Sequence, residues 1–478
     1  MDIQGRNILI LGGSGLVGIA IARKLLPLTP AKIVVAALRR DEAGEGVRTL
    51  PAEGFGDFAE LVPEWGDVFL RAARRDESRR ELLATDEGRE EILDDLFGHL
   101  GEEEFQRSLL YDMLARHEPQ IVIDSVNTAN GIAYRDVYAA ASNDWDELID
   151  SNLDDETVVN LLEALYVPRL IRHIQVLYRG MSDARTRCYI KVGTSGTGGM
   201  GLNVPYTHSE EKPSRVLLSK SAVAGAHSML LFLMARTPGA PITKEIKPAA
   251  AIAWKKIAWG PIYRGRKPVQ RVEAEPIAVG EVFSTLQPDA AKVSDDILET
   301  AYIDTGENGI FSLEEFAMLT TSRQMEFVTP EEIAQYLRFE IEGGNTGHDV
   351  INALDNAVLG PTYRAGLMRH WALEQLNVLE SQGPTRSVAF EMLGPPHLTK
   401  LLFEAHLLRE AFGTMTAVRE SAPEEVERRL VELVHEKPEI ANEVAAVGIP
   451  ILLPSDEIIR GPSVIVPADA EQQAVTPD

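Results

Sequence analysis

Residues 7–26 read NILILGGSGLVGIAIARKLL. An apolar run, Ile8 to Leu11, meets a glycine-rich turn, and an apolar helical pattern follows. The order is strand, turn, helix. Gly12, Gly15 and Gly18 sit three apart, with Ser14, Leu16 and Val17 between them. In a dinucleotide site the first glycine makes the tight turn. The middle one lets backbone approach pyrophosphate, and the last lets helix pack on strand. The pyrophosphate then meets free N–H groups at the positive end of the helix dipole. The stretch predicts an α/β fold with a doubly wound parallel sheet and a bound nucleotide. The same turn also serves α/β domains that bind nothing.

The chain has 478 residues, enough for two or three domains with a full core. Its apolar content of 45% is that of a globular protein. A formal charge of −26 argues against nucleic acid or an anionic membrane as partner, because both demand basic surface. The single cysteine, Cys188, excludes an intramolecular disulfide. No Cys/His metal spacing is present, so no metal is expected. The first residues lead straight into a strand, and the apolar window Ser228 to Ala235 is too short to span a bilayer. A cytoplasmic enzyme acting on a small molecule is the expectation.

A second strand is predicted at Lys32 to Leu38, and its end faces the adenosine ribose in such folds. An acidic residue there would bind the 2′-hydroxyl of NAD. This chain has Arg39 and Arg40, whose guanidinium groups fit a 2′-phosphate, so NADP(H) is favoured over NAD(H). With Asp41 and Glu42 as neighbours, both arginines also read as solvated. A third strand is expected to end at Gly66-Asp67, placing Asp67 by the cofactor. Residues of about 70–106 are dense in charge and predict a helical insertion laced by i,i+4 pairs.

Gln120 to Ser125, QIVIDS, predicts a buried parallel strand. Asn127 and Thr128 follow at its carboxyl edge, where ligands sit, and are candidate cofactor contacts. They are also ordinary turn residues. Trp145 to Val167 predicts a long helix, Tyr189 to Val192 a strand, and Ser214 to Thr237 a strong helix. Between the last two lie GTSGTGGMG at Gly193 to Gly201 and the loop Pro205-Tyr206-Thr207-His208. Gly193 to Thr197 approaches the G-x-S-x-G hydrolase elbow but has Thr197 where the last glycine is required.

The order GGSGLVG, VIDSVNTAN, SNLDDETVVNLLEAL, VGTSGTGGMGLNVPYTHSEE and SRVLLSK resembles the extended short-chain dehydrogenase/reductase superfamily. The resemblance runs over roughly residues 5–285. It implies a catalytic group of hydroxyl, tyrosine and a lysine four residues after it. By resemblance Ser195, or its neighbours Thr194 or Thr197, takes the hydroxyl position, and Lys220 holds the nicotinamide ribose. Asn152 takes the position of a helix asparagine. The tyrosine position falls on Val216, which cannot move a proton. Three readings follow: Tyr206 or His208 is the substitute acid/base, the chemistry needs no acid at that place, or the protein binds cofactor without turnover. Outside the resemblance, Lys220 reads as a solvated helix lysine and Tyr206 as a packed loop tyrosine. The missing acidic pair disfavours a dehydratase and leaves a reductase or epimerase. The family also implies a homodimer.

Trp254 to Arg271, WKKIAWGPIYRGRKPVQR, carries no acid, and Arg264 and Arg266 are candidates for an anionic or nucleotide-linked substrate. A basic exposed hairpin is the plainer reading. The nucleotide-binding domain is expected at 1–285 and a mainly helical substrate or oligomerisation domain at 286–478. Asp304 to Glu315 imitates a calcium loop but has Gly306 at its third position. A helix capped by Ser312, with Glu315 closing a capping box, explains it better.

Overall fold

The computed structural model describes residues 1–126, 165–193, 215–248, 252–264, 267–281, 292–305, 310–320, 328–344, 363–383, 388–390 and 397–462. The chain divides into two compact units. One comprises 1–199, 214–253 and 326–365, and the other 200–213, 254–325 and 366–478. The expected boundary at residue 285 falls inside the second unit.

The first unit is built on six parallel strands. They are β1 (Asn7–Leu11), β2 (Lys32–Ala37), β3 (Glu60–Trp65), β4 (Ile121–Asp124), β5 (Cys188–Val192) and β6 (Ile242–Ile246). Their order is β3-β2-β1-β4-β5-β6, so the chain reverses direction across the sheet between β1 and β4. This is the α/β, doubly wound architecture that the opening stretch predicts. Alternate residues face opposite layers. Ile8, Ile10, Ile33, Ile121 and Ile190 pack under α1 (Leu16–Leu25) and the helix Pro330–Ile341. Leu9, Val34, Val122 and Tyr189 pack on the other face. There they meet α6 (Leu109–His117), α7 (Tyr166–Asp183) and α8 (Arg215–Ala235).

The helix expected from Trp145 to Val167 lies outside the described residues up to 164; a described helix, α7, starts at Tyr166 and continues to Asp183. Pro168 lies in its first turn, where no intrahelical N–H is needed.

The insertion after β3 is helical, with α3 (Arg79–Leu83), α4 (Asp86–Phe97) and α5 (Glu102–Arg107). Its own apolar cluster has only three buried members, Leu70, Leu82 and Ile92. Charge holds much of the rest, in local pairs such as Arg89–Asp86 and in pairs that reach across the insertion. Arg71 meets Asp95 at 2.8 Å and Asp94 at 3.0 Å. Arg74 meets Glu91 at 2.7 Å and Glu87 at 3.0 Å. Arg172 of α7 donates to the carbonyls of Leu96 at 3.2 Å and Gly98 at 2.6 Å, satisfying the end of α4.

In the second unit, antiparallel strands precede the helices. Glu299–Asp304 pairs with Lys256–Pro261 and with Ile310–Phe311. The basic segment is therefore largely strand, continuing through Tyr263–Arg264, Lys267–Pro268 and Gln270–Glu273. Ser312 caps the helix Leu313–Leu319, and Glu315 closes the capping box, as the sequence predicts. Helices His397–Phe412, Pro423–Glu436 and Pro438–Ala446 follow. Among the described residues no helix is long and apolar enough to cross a membrane.

Candidate active site at the carboxyl edge of the sheet

The β1–α1 turn has the geometry a phosphate loop needs. Gly12 has φ +72°, a conformation that L side chains rarely adopt. A Cβ on Gly18 would lie 2.4 Å from Gly12 O and 2.6 Å from Gly13 Cα, so α1 packs against the turn as closely as backbone allows. Gly13 N donates to Ala36 O at 2.8 Å, which fixes the turn to β2. Ser14 backs onto the helix after β2, Arg40–Ala52, where a Cβ on Gly46 would lie 3.3 Å from its Cα. α1 starts at Leu16 with Gly15 as N-cap, no side-chain cap and no acid in its first turn. The first N–H groups of α1 and its positive dipole end are left for an anion.

Arg39 and Arg40 begin α2 (Arg40–Ala52) directly after β2. Arg39 is two-thirds exposed and pairs with Glu42 at 2.7 Å and Asp41 at 3.6 Å. Arg40 sits 4.8 Å above the Trp65 ring, and Arg75 of the insertion lies 4.5 Å from the same ring. Asp67 accepts from Phe69 N at 3.0 Å and from Arg79 at 2.9 Å, so its carboxylate is engaged by the insertion.

A buried polar row crosses the ends of β4, β5 and β6. Asp124, Lys191 and Glu245 are register partners on the face covered by α7 and α8. They are exposed by only 1%, 2% and 4%. Lys191 Nζ lies 2.9 Å from Asp124 Oδ1 and donates to Val126 O at 2.6 Å. Tyr189 Oη donates to Asp124 Oδ2 at 2.9 Å. Ser228 Oγ donates to Glu245 Oε1 at 3.1 Å and accepts from Lys247. Burial pushes the Asp124 carboxyl up, but the Lys191 ammonium overrides it and holds the group below its usual range. Burial wins at Glu245 and raises it, despite Lys247.

His173 of α7 and His227 of α8 lie over this row, with ring centroids 6.0 Å apart. Burial pushes His173 down to about 4 and His227 well below its ordinary value. Both imidazoles are neutral at pH 7. Among the described residues neither nitrogen of His173 has a hydrogen-bond partner, nor does Nε2 of His227.

The row is joined to the phosphate loop. Ser125 Oγ donates to Leu11 O at 2.7 Å, and a Cβ on Gly12 would touch Ser125. Sequence reading missed Asp124, Lys191, Glu245, His173 and His227 as a group. The signal was one or two charged residues inside each of three strand segments, IVID, CYIKV and ITKEI. Such residues are rare in central parallel strands.

Several expected site residues lie outside the described residues: Asn127, Thr128, Asn152, Thr194, Ser195, Thr197, Tyr206, His208 and Arg266. Val216 and Lys220 lie in α8, four residues apart, with their side chains outside the description. Arg264 ends a short strand of the second unit, and its side chain is likewise outside.

Residues 269–478 match the family described as "Beta-methylindole-3-pyruvate reductase C-terminal domain". The match covers less than half of the chain. No curated protein matches it significantly. Solved structures to which the chain is similar include a short-chain dehydrogenase/reductase from Serratia marcescens, at 15% identity over 71% of this chain and 91% of that one, TM-score 0.29. A 3-oxoacyl-[acyl-carrier protein] reductase from Brucella melitensis with bound NAD is 20% identical over 53% and 73%, TM-score 0.27. Pen from Bacillus thuringiensis is 13% identical over 52% of this chain and only 50% of its own length, TM-score 0.25.

Proposed function

We propose that the chain is an NAD(P)(H)-dependent oxidoreductase that reduces the carbonyl of a small 2-oxo acid. The observation that carries this reading is the β1–α1 turn. Gly12 is left-handed, Gly18 is in backbone contact, and the helix start is uncapped beside the point where strand order reverses. These features fit a dinucleotide pyrophosphate. A nicotinamide held there would supply the hydride for the carbonyl carbon, and a side chain of this chain would give the proton to the carbonyl oxygen. The 2-oxo acid class comes from the reductase family that residues 269–478 match. That name also favours a reductase over an epimerase.

NADP(H) is the preferred cofactor in this reading. Exposed ion pairs such as Arg39–Glu42 are worth ~0–1 kcal/mol, so a 2′-phosphate competes for Arg39 on good terms. Lys220 holds the nicotinamide ribose, and Ser195 with Thr194 or Thr197 binds the carbonyl oxygen. With valine at 216, Tyr206 or His208 is the proton donor, and Arg264 and Arg266 receive the substrate carboxylate. The same valine favours a second reading, a protein that binds the nucleotide without turnover. The proposed boundary of the nucleotide-binding region, residue 285, keeps most of this machinery in one segment.

Titration of NADPH and NADH by nicotinamide fluorescence tests the cofactor. NADPH is expected to bind more tightly, and Arg39→Ala to weaken NADPH by about tenfold with NADH unchanged. Equal binding of the two nucleotides removes the preference, and no binding of either removes the function. Turnover of an aryl-pyruvate with NADPH separates the reductase from the silent binder.

A further inference from the structure

Resting on the nucleotide reading above, we infer that Glu245, through its contacts with Ser228, Lys247 and Gly193, is a positioning residue for the nicotinamide half of the site. In a doubly wound sheet a dinucleotide lies across the switch point, with one mononucleotide half on each side. The β1–β3 side carries the phosphate turn, Arg39 and Arg40. The β4–β6 side carries the buried row of Asp124, Lys191 and Glu245. An adenosine end on the first side leaves the nicotinamide end over the second.

Glu245 joins β5, β6 and α8 at the carboxyl edge. Its Oε1 accepts from Ser228 of α8 at 3.1 Å and lies 3.7 Å from Lys247 Nζ. Lys247 in turn donates to Ser228 Oγ, which closes a triangle of three side chains. A Cβ on Gly193 would lie 2.6 Å from the same Oε1, so the carboxylate rests against the backbone at the end of β5. Gly193 N donates to Ile246 O at 2.8 Å, which ties the exit of β5 to β6. In sequence Gly193 leads into Thr194 and Ser195, and Lys220 lies in α8 about two turns before Ser228. One carboxylate therefore sets the spacing between the strand end that leads to the hydroxyls and the helix that carries the lysine.

The tie is costly to keep. Glu245 is 4% exposed, and burial raises its carboxyl despite Lys247. Among the described residues its Oε2 has no hydrogen-bond partner. An apolar side chain would cost less to bury, but it could not give α8 a directional bond to the sheet. Across the switch point the register continues with the apolar Leu11 and Ala36, so the side-chain ties of the row end at β4.

Calorimetric titration of the full chain with NADPH, and with its adenosine half alone, adenosine 2′,5′-bisphosphate, separates the two sides. Ser228→Ala and Glu245→Ala are each expected to weaken NADPH about threefold to tenfold, the worth of one such hydrogen bond, and to leave the bisphosphate unchanged. Ser228→Ala, the milder change, decides if Glu245→Ala does not fold. Glu245→Gln, whose amide oxygen still accepts from Ser228, is expected to stay within about twofold of the wild type. Lys244→Met, on the opposite face of β6, loses its pair with Glu340 and is expected to lower Tm without a selective loss. Equal weakening of both ligands, unchanged NADPH affinity in the alanine variants, or the same selective loss in Lys244→Met overturns the assignment. Binding of neither ligand by the unsubstituted chain removes the nucleotide reading itself, and the assignment with it.

Discussion

Replacing Lys191 by methionine is the sharpest perturbation of the buried row. Methionine keeps the length of the side chain but removes the Nζ that lies 2.9 Å from Asp124 and donates to Val126 O. Asp124 is 1% exposed, so its charge cannot turn to water. Breaking a buried pair on one side costs about 3–5 kcal/mol. For a unit of this size that is a fall in Tm of about 6–20 °C. Adding Asp124→Asn should recover most of the loss. The amide oxygen still accepts from Val126 N, its NH2 donates to the Tyr189 hydroxyl oxygen, and no unpaired charge remains.

The pH dependence gives a second signature. In the wild type the Asp124 carboxyl is held below its ordinary value. Its contribution is therefore present above that value and lost as pH falls through the folded one. In Lys191→Met the ammonium that offsets burial is gone, so burial is expected to dominate and raise the carboxyl, and stability falls as pH rises past the ordinary value. The gap between the two proteins must widen from acid to neutral pH. Urea unfolding at pH 5 and pH 7.5 measures it. A deficit under about 1 kcal/mol at pH 7.5, or a double variant as weak as the single one, refutes the reasoning. Nucleotide affinity should fall in the same variant, because the segment after β4 also braces Gly12.

Gly18→Ala sets a methyl group against the Gly12 carbonyl and should cost about 1–3 kcal/mol while abolishing NADPH binding, read by thermal melting and titration. Retained binding would mean the turn is not the phosphate site. At the far end of the sheet, Glu64 lies 2.8 Å from His117 and 2.6 Å from Arg75. Burial works against its charge, but bonds from His117, Arg116 and Arg75 lower it to about 2. Its contribution, at most about 3 kcal/mol, is present above the ordinary carboxylate value and is lost as pH falls toward 2. Glu64→Gln should lower stability at pH 7 and flatten the acid limb of the stability profile.

The fold was legible because the first strand, turn and helix carry it in one short stretch. The β-branched runs at 32–37 and 121–124 repeat the same signal. The capping box at Ser312 and Glu315 was equally readable, since both partners lie within one turn. The buried row was not. Asp124, Lys191 and Glu245 lie far apart in the chain and become neighbours only through parallel register. α7 was hidden by Pro168, whose meaning depends on where the helix begins. The insertion was read as helices laced by local pairs. Such local pairs are present at Arg89–Asp86 and Arg107–Glu103, but Arg71 and Arg74 also reach across to α4, a fact of tertiary packing.

An insertion fastened by charges more than by apolar contact answers to a different variable from the sheet beside it. In ~1 M salt the screening length shrinks to about 3 Å, shorter than most charge separations at a surface. The arginine-to-carboxylate ties of α4 then weaken, while the apolar layers around β1 and β4 do not. Ionic strength therefore tunes how often this segment opens, independently of global unfolding. In amide hydrogen exchange the result would be a salt-sensitive patch at residues 79–107 over a salt-indifferent sheet.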